Sequence, residues 1–96
     1  DSRYATDARE RLDFLHNQLA RYEINVADYY MKRGAYVAAA NRAKYVIENY
    51  QRTPAAQDAL QVLVQAYTKM GMTDLARDVQ RVLELNRPAA RRDVER

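Results

Sequence analysis

Few residues in this chain could carry out chemistry, and most of them stand alone. His16 is the single histidine, and there is no cysteine. A zinc site takes about four ligands, usually from histidine and cysteine, so the composition excludes a zinc–cysteine site, a disulfide framework and a thiol nucleophile. No base is placed by the sequence to pair with the carboxylates Asp7, Glu10 and Asp13. We therefore predict no enzyme, no metal and no cofactor, and a structural role for His16.

A row of side chains around Arg42 is the best candidate for a binding site. Its members are spaced alternately three and four residues apart, so they would lie along one face of a helix: Ala35, Ala38, Arg42, Tyr45 and Asn49. The alanines leave room for a partner to approach, and an arginine beside a tyrosine is typical of an interface anchor. The alternative is that Arg42 is a solvated helix arginine, which composition alone favours.

Two glycines divide the chain into helices. Gly34 and Gly71 each follow a helical run with a lysine or arginine in its last turn, as is typical where a glycine ends a helix. They lie 37 residues apart, as the numbering shows, and their surroundings match. A tyrosine precedes each glycine by four residues and an alanine follows each by five: Tyr30 and Tyr67, Ala39 and Ala76. This spacing predicts a helix–turn–helix repeat.

The remaining boundaries follow from capping residues and apolar periodicity. Thr53 is the expected N-cap of the third helix, with Pro54 as its first residue, and Thr73 the expected N-cap of the fourth. We predict a helical-repeat domain over residues 1–88, with helices at about 3–33, 36–50, 54–70 and 73–86, and a basic tail at 89–96.

An apolar stripe with regular spacings of three and four residues predicts a long first helix. The stripe consists of Ala5, Ala8, Leu12, Leu15, Leu19, Tyr22, Val26 and Tyr29. A turn inside the segment would break this phase, so we predict one helix whose stripe packs in the core. The alternative is a pair of helices with a hinge near Asn17 or Asn25. The predicted stripes of the later helices include Ala43 and Val46, Leu60 and Leu63, and Leu75 and Val82. Six tyrosines fall on or beside the stripes and are predicted to pack there: Tyr22, Tyr29, Tyr30, Tyr36, Tyr50 and Tyr67. Tyr4 and Tyr45 are predicted to be more exposed.

Charge does not favour a nucleic-acid partner. The formal net charge of the 96 residues is +3. Residues 87–96 contribute +2, from four arginines against Asp93 and Glu95, which leaves +1 for the other 86. A basic tail on a nearly neutral body lacks the basic stripe that nucleic-acid binding surfaces usually carry. The chain begins at Asp1 without a leader, so we expect a piece of a longer protein whose targeting segment lies elsewhere.

The pattern resembles the tetratricopeptide repeat. The first unit supplies Tyr30, Gly34, Tyr36, Ala39, Val46 and Pro54, and the second Tyr67, Gly71, Ala76, Leu83 and Pro88. Thr73 departs from the motif, which has an aromatic residue there, and Ala43 and Gln80 stand where a large apolar residue is common. The resemblance implies an all-α fold: antiparallel helices stacked in a right-handed superhelix, here with a long first helix.

A closer likeness covers residues 1–88. The runs "DSRYATDARERL", "LARYEINVADYY", "RGAYVAAANR" and "MGMTDLAR" are similar to the C-terminal half of the BamD family. That family comprises lipoprotein subunits of the BAM complex, which inserts β-barrel proteins into the Gram-negative outer membrane. The family's lipid-bearing cysteine and first repeats are not in this sequence, so a membrane attachment would lie outside these residues. The tail "AARRDVER" matches nothing in the family pattern.

The resemblance implies a non-catalytic scaffold on the periplasmic face of the outer membrane. Its expected partners are the membrane-proximal POTRA domain of BamA and the other BAM lipoproteins. The arginine of the family's "NR" dipeptide, part of the BamA contact, corresponds to Arg42. A second hypothesis is a peptide receptor that binds extended segments of unfolded outer-membrane proteins in a concave groove. A third, a nucleic-acid adaptor, rests only on the isoelectric point of about 9.3 and on the arginine tail.

Overall fold

The computed structural model describes residues 2–86. They form four helices: α1 (Ser2–Lys32), α2 (Tyr36–Asn49), α3 (Ala55–Lys69) and α4 (Thr73–Leu85). The prediction of an all-α chain with a long first helix is confirmed, and α1 continues through Asn17 and Asn25 without a hinge. The predicted tail at 89–96 lies outside the described residues. Among the helices of residues 2–86, none has the combined length and apolar character that spanning a membrane requires.

Glycine ends α1 and α3 by the same backbone geometry. Gly34 and Gly71 both have φ of 76°, the left-handed region that glycine adopts without strain. At Gly34, the N–H of Ala35 donates to the carbonyl of Tyr30 at 2.9 Å, and the N–H of Gly34 donates to that of Met31 at 3.1 Å. The same two bonds recur around Gly71. This paired arrangement is the Schellman motif, which satisfies carbonyls left free at a helix end and turns the chain back.

The predicted N-caps are wrong. Thr53 donates its hydroxyl to the carbonyl of Tyr50 at 2.7 Å, so its side chain closes the end of α2 and does not cap α3. The first amide of α3, at Ala55, instead donates to Oδ1 of Asn17 on α1 at 3.3 Å. Thr73 is the first residue of α4, and within the described chain no side chain caps that helix. Short polar residues satisfy several different local partners, so their type alone did not decide which helix end they serve.

The core lies where α2 and α3 pack against each other and against the C-terminal half of α1. The apolar stripes predicted for α2 and α3 are confirmed, with Ala39, Ala43, Val46, Ala59, Leu60 and Leu63 buried. Many core positions are alanines, which let helices approach closely. Val46 is the largest side chain that is completely buried in residues 2–86.

α1 packs with a different face from the one predicted. Its buried residues are Ala20, Ile24 and Ala27. The predicted stripe faces solvent, with Leu12, Leu15, Leu19, Tyr22 and Tyr29 between 51% and 65% exposed. Residues 2–15 are exposed throughout. The helix therefore has two apolar faces. α2 and α3 cover the less regular face, which contains Ala20, Ile24 and Ala27.

The stripe predicted for α4 is only partly buried. Ala76 is buried and Val79 is half-buried, whereas Leu75 and Val82 are 47% and 45% exposed. α4 packs on α3 alone among the described helices, so one narrow line of its apolar face is covered.

Candidate functional site

A cleft of about 370 Å³ lies where the end of α1 meets α2. It is lined by Tyr30 of α1 and by Ala38, Asn41, Arg42 and Tyr45 of α2. The Schellman turn at the end of α1 creates this arrangement, because it folds α2 back along the helix that precedes it. Ala38 contributes a small side chain to the lining of the cleft, and the two tyrosines contribute aromatic rings.

Arg42 is held in this cleft by an acidic residue from α1. Its Nη1 donates to Oε2 of Glu23 at 2.9 Å. The side chain of Arg42 is 47% exposed, whereas that of Glu23 is only 14% exposed. The hydrogen bond and the charge of Glu23 raise the pKa of the Arg42 guanidinium above its usual value, with a smaller contribution from Tyr30. Arg42 is therefore fixed on one side and accessible on the other.

The structure brings together three of the five residues predicted for the site. Ala38, Arg42 and Tyr45 line the same cleft. Ala35 is half-buried and precedes α2, where it occupies the N-cap position. Asn49 lies at the other end of α2, lines a different cleft and donates its side-chain amide to the carbonyl of Tyr45 at 2.9 Å. Ala35 and Asn49 thus flank the cleft without lining it.

Sequence reasoning missed three residues of the site: Glu23, Tyr30 and Asn41. Tyr30 was assigned to core packing, and it is half-buried, so it also contributes a surface to the cleft. Asn41 adjoins Arg42 in sequence, which was an available signal. Glu23 lies 19 residues before Arg42 on another helix, and no local spacing connects the two.

Six tyrosines were expected to pack in or beside the core. Tyr30, Tyr36, Tyr50 and Tyr67 are half-buried as expected. Tyr22 and Tyr29 are 65% and 54% exposed, so their assignment was wrong, because they belong to the uncovered stripe of α1. The predicted exposure of Tyr4 and Tyr45, at 78% and 47%, is confirmed.

A second cleft, of about 520 Å³, separates the N-terminal half of α1 from the loop between α2 and α3. His16 lies in it with its ring centroid 5.7 Å from that of Tyr50, which in turn contacts Tyr45 edge-to-face at 6.0 Å. Burial raises the pKa of Tyr50, and Tyr45 adds to the effect. Residues 2–86 contain no group of three or more potential metal ligands. The ring of His16 packs against the ring of Tyr50.

A polar cleft runs between α1 and α3. Its lining includes the side-chain amides of Asn25, Gln61 and Gln65. Arg21 and Asp58 form an ion pair across it, which ties the two helices together. Amide side chains both donate and accept hydrogen bonds, so this surface could pair with an extended backbone.

The fold and the cleft define a class: a tetratricopeptide-like helical-repeat protein with a candidate partner-binding surface. The model of the outer membrane lipoprotein family YfiO matches residues 1–82. The chain therefore belongs to this family of outer membrane lipoproteins.

Relatives support the same assignment. The chain is 50% identical over 88 residues to the outer membrane protein assembly factor BamD of Neisseria meningitidis serogroup A / serotype 4A, covering 92% of this chain and 33% of the relative. It is 46% identical over 88 residues to BamD of Xylella fastidiosa (strain Temecula1), covering 92% and 30%. For BamD of Pasteurella multocida the identity is 36% over 96 residues, covering 100% and 37%.

The chain thus spans about a third of the length of the relatives it matches. Their name describes an assembly role and no catalysis, in agreement with the expectation that this chain is not an enzyme.

Proposed function

We propose that this chain is a non-catalytic scaffold segment of the outer-membrane β-barrel assembly complex. In this proposal the cleft around Arg42 docks on the membrane-proximal POTRA domain of BamA. The assembly-factor role in the relatives' name supports the complex. The observation that supports this docking surface concerns Arg42, whose side chain is held by Glu23 and is still 47% exposed.

The chemistry of the cleft defines what the partner must offer. Arg42 presents hydrogen-bond donors that match a carboxylate. Tyr30 and Tyr45 line the same cleft and offer aromatic surface, and the small side chain of Ala38 leaves space in it. An acidic residue surrounded by apolar contacts would fit, and this combination is common at the centre of protein interfaces. Exposed apolar residues elsewhere, on α1 and α4, leave surface for the other lipoproteins of the complex.

The proposed location is the periplasmic face of the outer membrane. The family description, outer membrane lipoprotein, supports this proposal. Attachment to the membrane would come from a lipid anchor outside these 96 residues.

The proposal is tested by charge reversal at Arg42. We expect Arg42→Glu to weaken binding to the POTRA domain by about 2 kcal/mol or more, because a charge-assisted contact is replaced by repulsion. Lys44→Glu is the matched control, since Lys44 is an exposed α2 residue outside the cleft. Arg42→Gln is measured alongside, because Arg42→Glu also brings a carboxylate close to Glu23. Calorimetric titration gives the affinities and thermal melting monitors the fold.

The outcomes separate the possibilities. Equal losses of affinity for Arg42→Glu and Lys44→Glu would reduce Arg42 to a contribution to bulk charge. A large fall in melting temperature for both Arg42 variants would make it a structural residue. No loss in either Arg42 variant would refute docking through this cleft.

A second candidate function is the binding of extended segments of unfolded outer-membrane proteins. The amide-rich cleft between α1 and α3 favours it, because an extended peptide needs partners for its backbone groups. A labelled peptide copied from a barrel strand should bind, and the double variant Gln61→Ala, Gln65→Ala should lose that binding while POTRA affinity is retained. Unchanged peptide binding in the double variant would exclude this cleft.

A further inference from the structure

We propose that Glu23 is a positioning residue for the Arg42 docking site: it holds the guanidinium in the orientation that the partner recognises. This inference rests on the proposed function for its partner. It concerns a different helix and a residue that makes no contribution to the lining of the cleft.

The first argument is geometric. Glu23 on α1 accepts a hydrogen bond from one nitrogen of Arg42 on α2 at 2.9 Å. A guanidinium has five N–H donors in a rigid plane, so a single contact with Glu23 restrains the orientation of the group and leaves other donors for a partner. The exposures of 14% for Glu23 and 47% for Arg42 agree with this division, because the acid is covered and the base is open.

The second argument concerns entropy. A free arginine on a helix surface samples many rotamers, and a partner that binds it must immobilise it. An arginine already anchored to a covered carboxylate has lost that freedom on folding. The partner then binds a preorganised group, which lowers the cost of association.

The third argument concerns charge. In the unbound state the negative charge of Glu23 balances the positive charge of Arg42. The same interaction raises the pKa of the guanidinium. The pair therefore attracts a distant carboxylate less than a lone arginine would. Recognition then depends on directed hydrogen bonds formed at contact, so Glu23 favours partners whose carboxylate has the right position over partners that are merely acidic.

The opposite role is competition, in which Glu23 occupies Arg42 and the partner must displace it. The two roles predict opposite effects of removing the side chain. If Glu23 positions Arg42, Glu23→Ala weakens POTRA binding by about fivefold, the cost of immobilising one long side chain. If Glu23 competes, Glu23→Ala strengthens binding. Glu23→Gln keeps an oxygen that accepts the hydrogen bond from Arg42, so its affinity for the POTRA domain should stay within about twofold of wild type.

The experiment combines a binding cycle with a direct observation of Arg42. Affinities for the POTRA domain are measured by calorimetry for wild type, Glu23→Ala and Glu23→Gln, each also in an Arg42→Ala background. Positioning predicts that Glu23→Ala has no further effect once Arg42 is gone, whereas a structural role would lower affinity and melting temperature in both backgrounds. A gain of affinity, or equal losses for Glu23→Ala and Glu23→Gln, overturns the proposal.

The second readout does not need the partner. The NMR order parameter of the Arg42 Nε–Hε bond is measured in the unbound chain. It should be high in wild type and in Glu23→Gln and fall in Glu23→Ala, and an unchanged value in Glu23→Ala would refute positioning. If Arg42→Ala leaves POTRA binding intact, the docking proposal fails, and this order parameter still decides whether Glu23 orients Arg42.

Discussion

Substitution of Gly34 tests whether backbone conformation alone fixes the turn that builds the cleft. Gly34 has φ of 76°, and a Cβ atom added there would meet no atom within 4 Å. A larger side chain therefore has space, and its cost comes from the backbone. A left-handed conformation costs an L-residue roughly 1–2 kcal/mol. For alanine, about 0.4–1 kcal/mol of this is offset by the reduced entropy of the unfolded chain.

We therefore expect Gly34→Ala to lower the free energy of unfolding by about 1 kcal/mol. Gly34→Val should lower it by up to about 3 kcal/mol, because a β-branched residue tolerates this region least. Gly34→Asn should cost least, since asparagine adopts left-handed conformations more readily. Each kcal/mol corresponds to a fall in melting temperature of roughly 4–8 °C for a domain of this size.

Urea unfolding followed by circular dichroism measures the series. Gly71 is the internal control, because its φ is also 76° and its surroundings are equally open. The order of cost should be the same at both glycines. If valine costs no more than alanine, or if all three replacements at Gly34 are neutral, the left-handed backbone does not determine the stability of the turn.

Two further predictions concern contacts between helices. Asn17→Ala should destabilise the fold by about 1 kcal/mol, because the first amide of α3 loses its acceptor on α1. Urea unfolding checks this against exposed Gln18→Ala as the control, and equal stability of the two variants would show that this contact contributes nothing. The raised pKa of Tyr50 means that the folded state holds the phenol proton more tightly than the unfolded state. Its stabilising contribution is present below the ordinary tyrosine pKa and is lost as the pH rises through the higher folded value. The free energy of unfolding should therefore fall above about pH 10. In the Tyr50→Phe variant it should fall less over the same pH range. Identical pH profiles of stability for the two proteins would contradict the raised pKa of Tyr50.

Residue types and their spacing were sufficient to predict the helices of residues 2–86 and the glycines that end two of them. Glycine has a conformational freedom that no other residue shares. For that reason the helix ends at Gly34 and Gly71 could be predicted from residue type and spacing. The buried faces of α2 and α3 could be predicted from periodicity, because neighbouring helices of the described chain cover the apolar face of each.

The packing of the helices against one another determines which face of α1 is covered and what surrounds Arg42. Periodicity reports that a face is apolar, and it does not report which neighbour reaches that face. The strict stripe through Leu12, Leu15 and Leu19 is exposed, while the less regular face at Ala20, Ile24 and Ala27 is buried. The same limit applies to capping and to the site. Asn17 reaches α3 and Glu23 reaches Arg42 across helix boundaries, where the positions of side chains depend on how helices cross and not on their spacing along the chain.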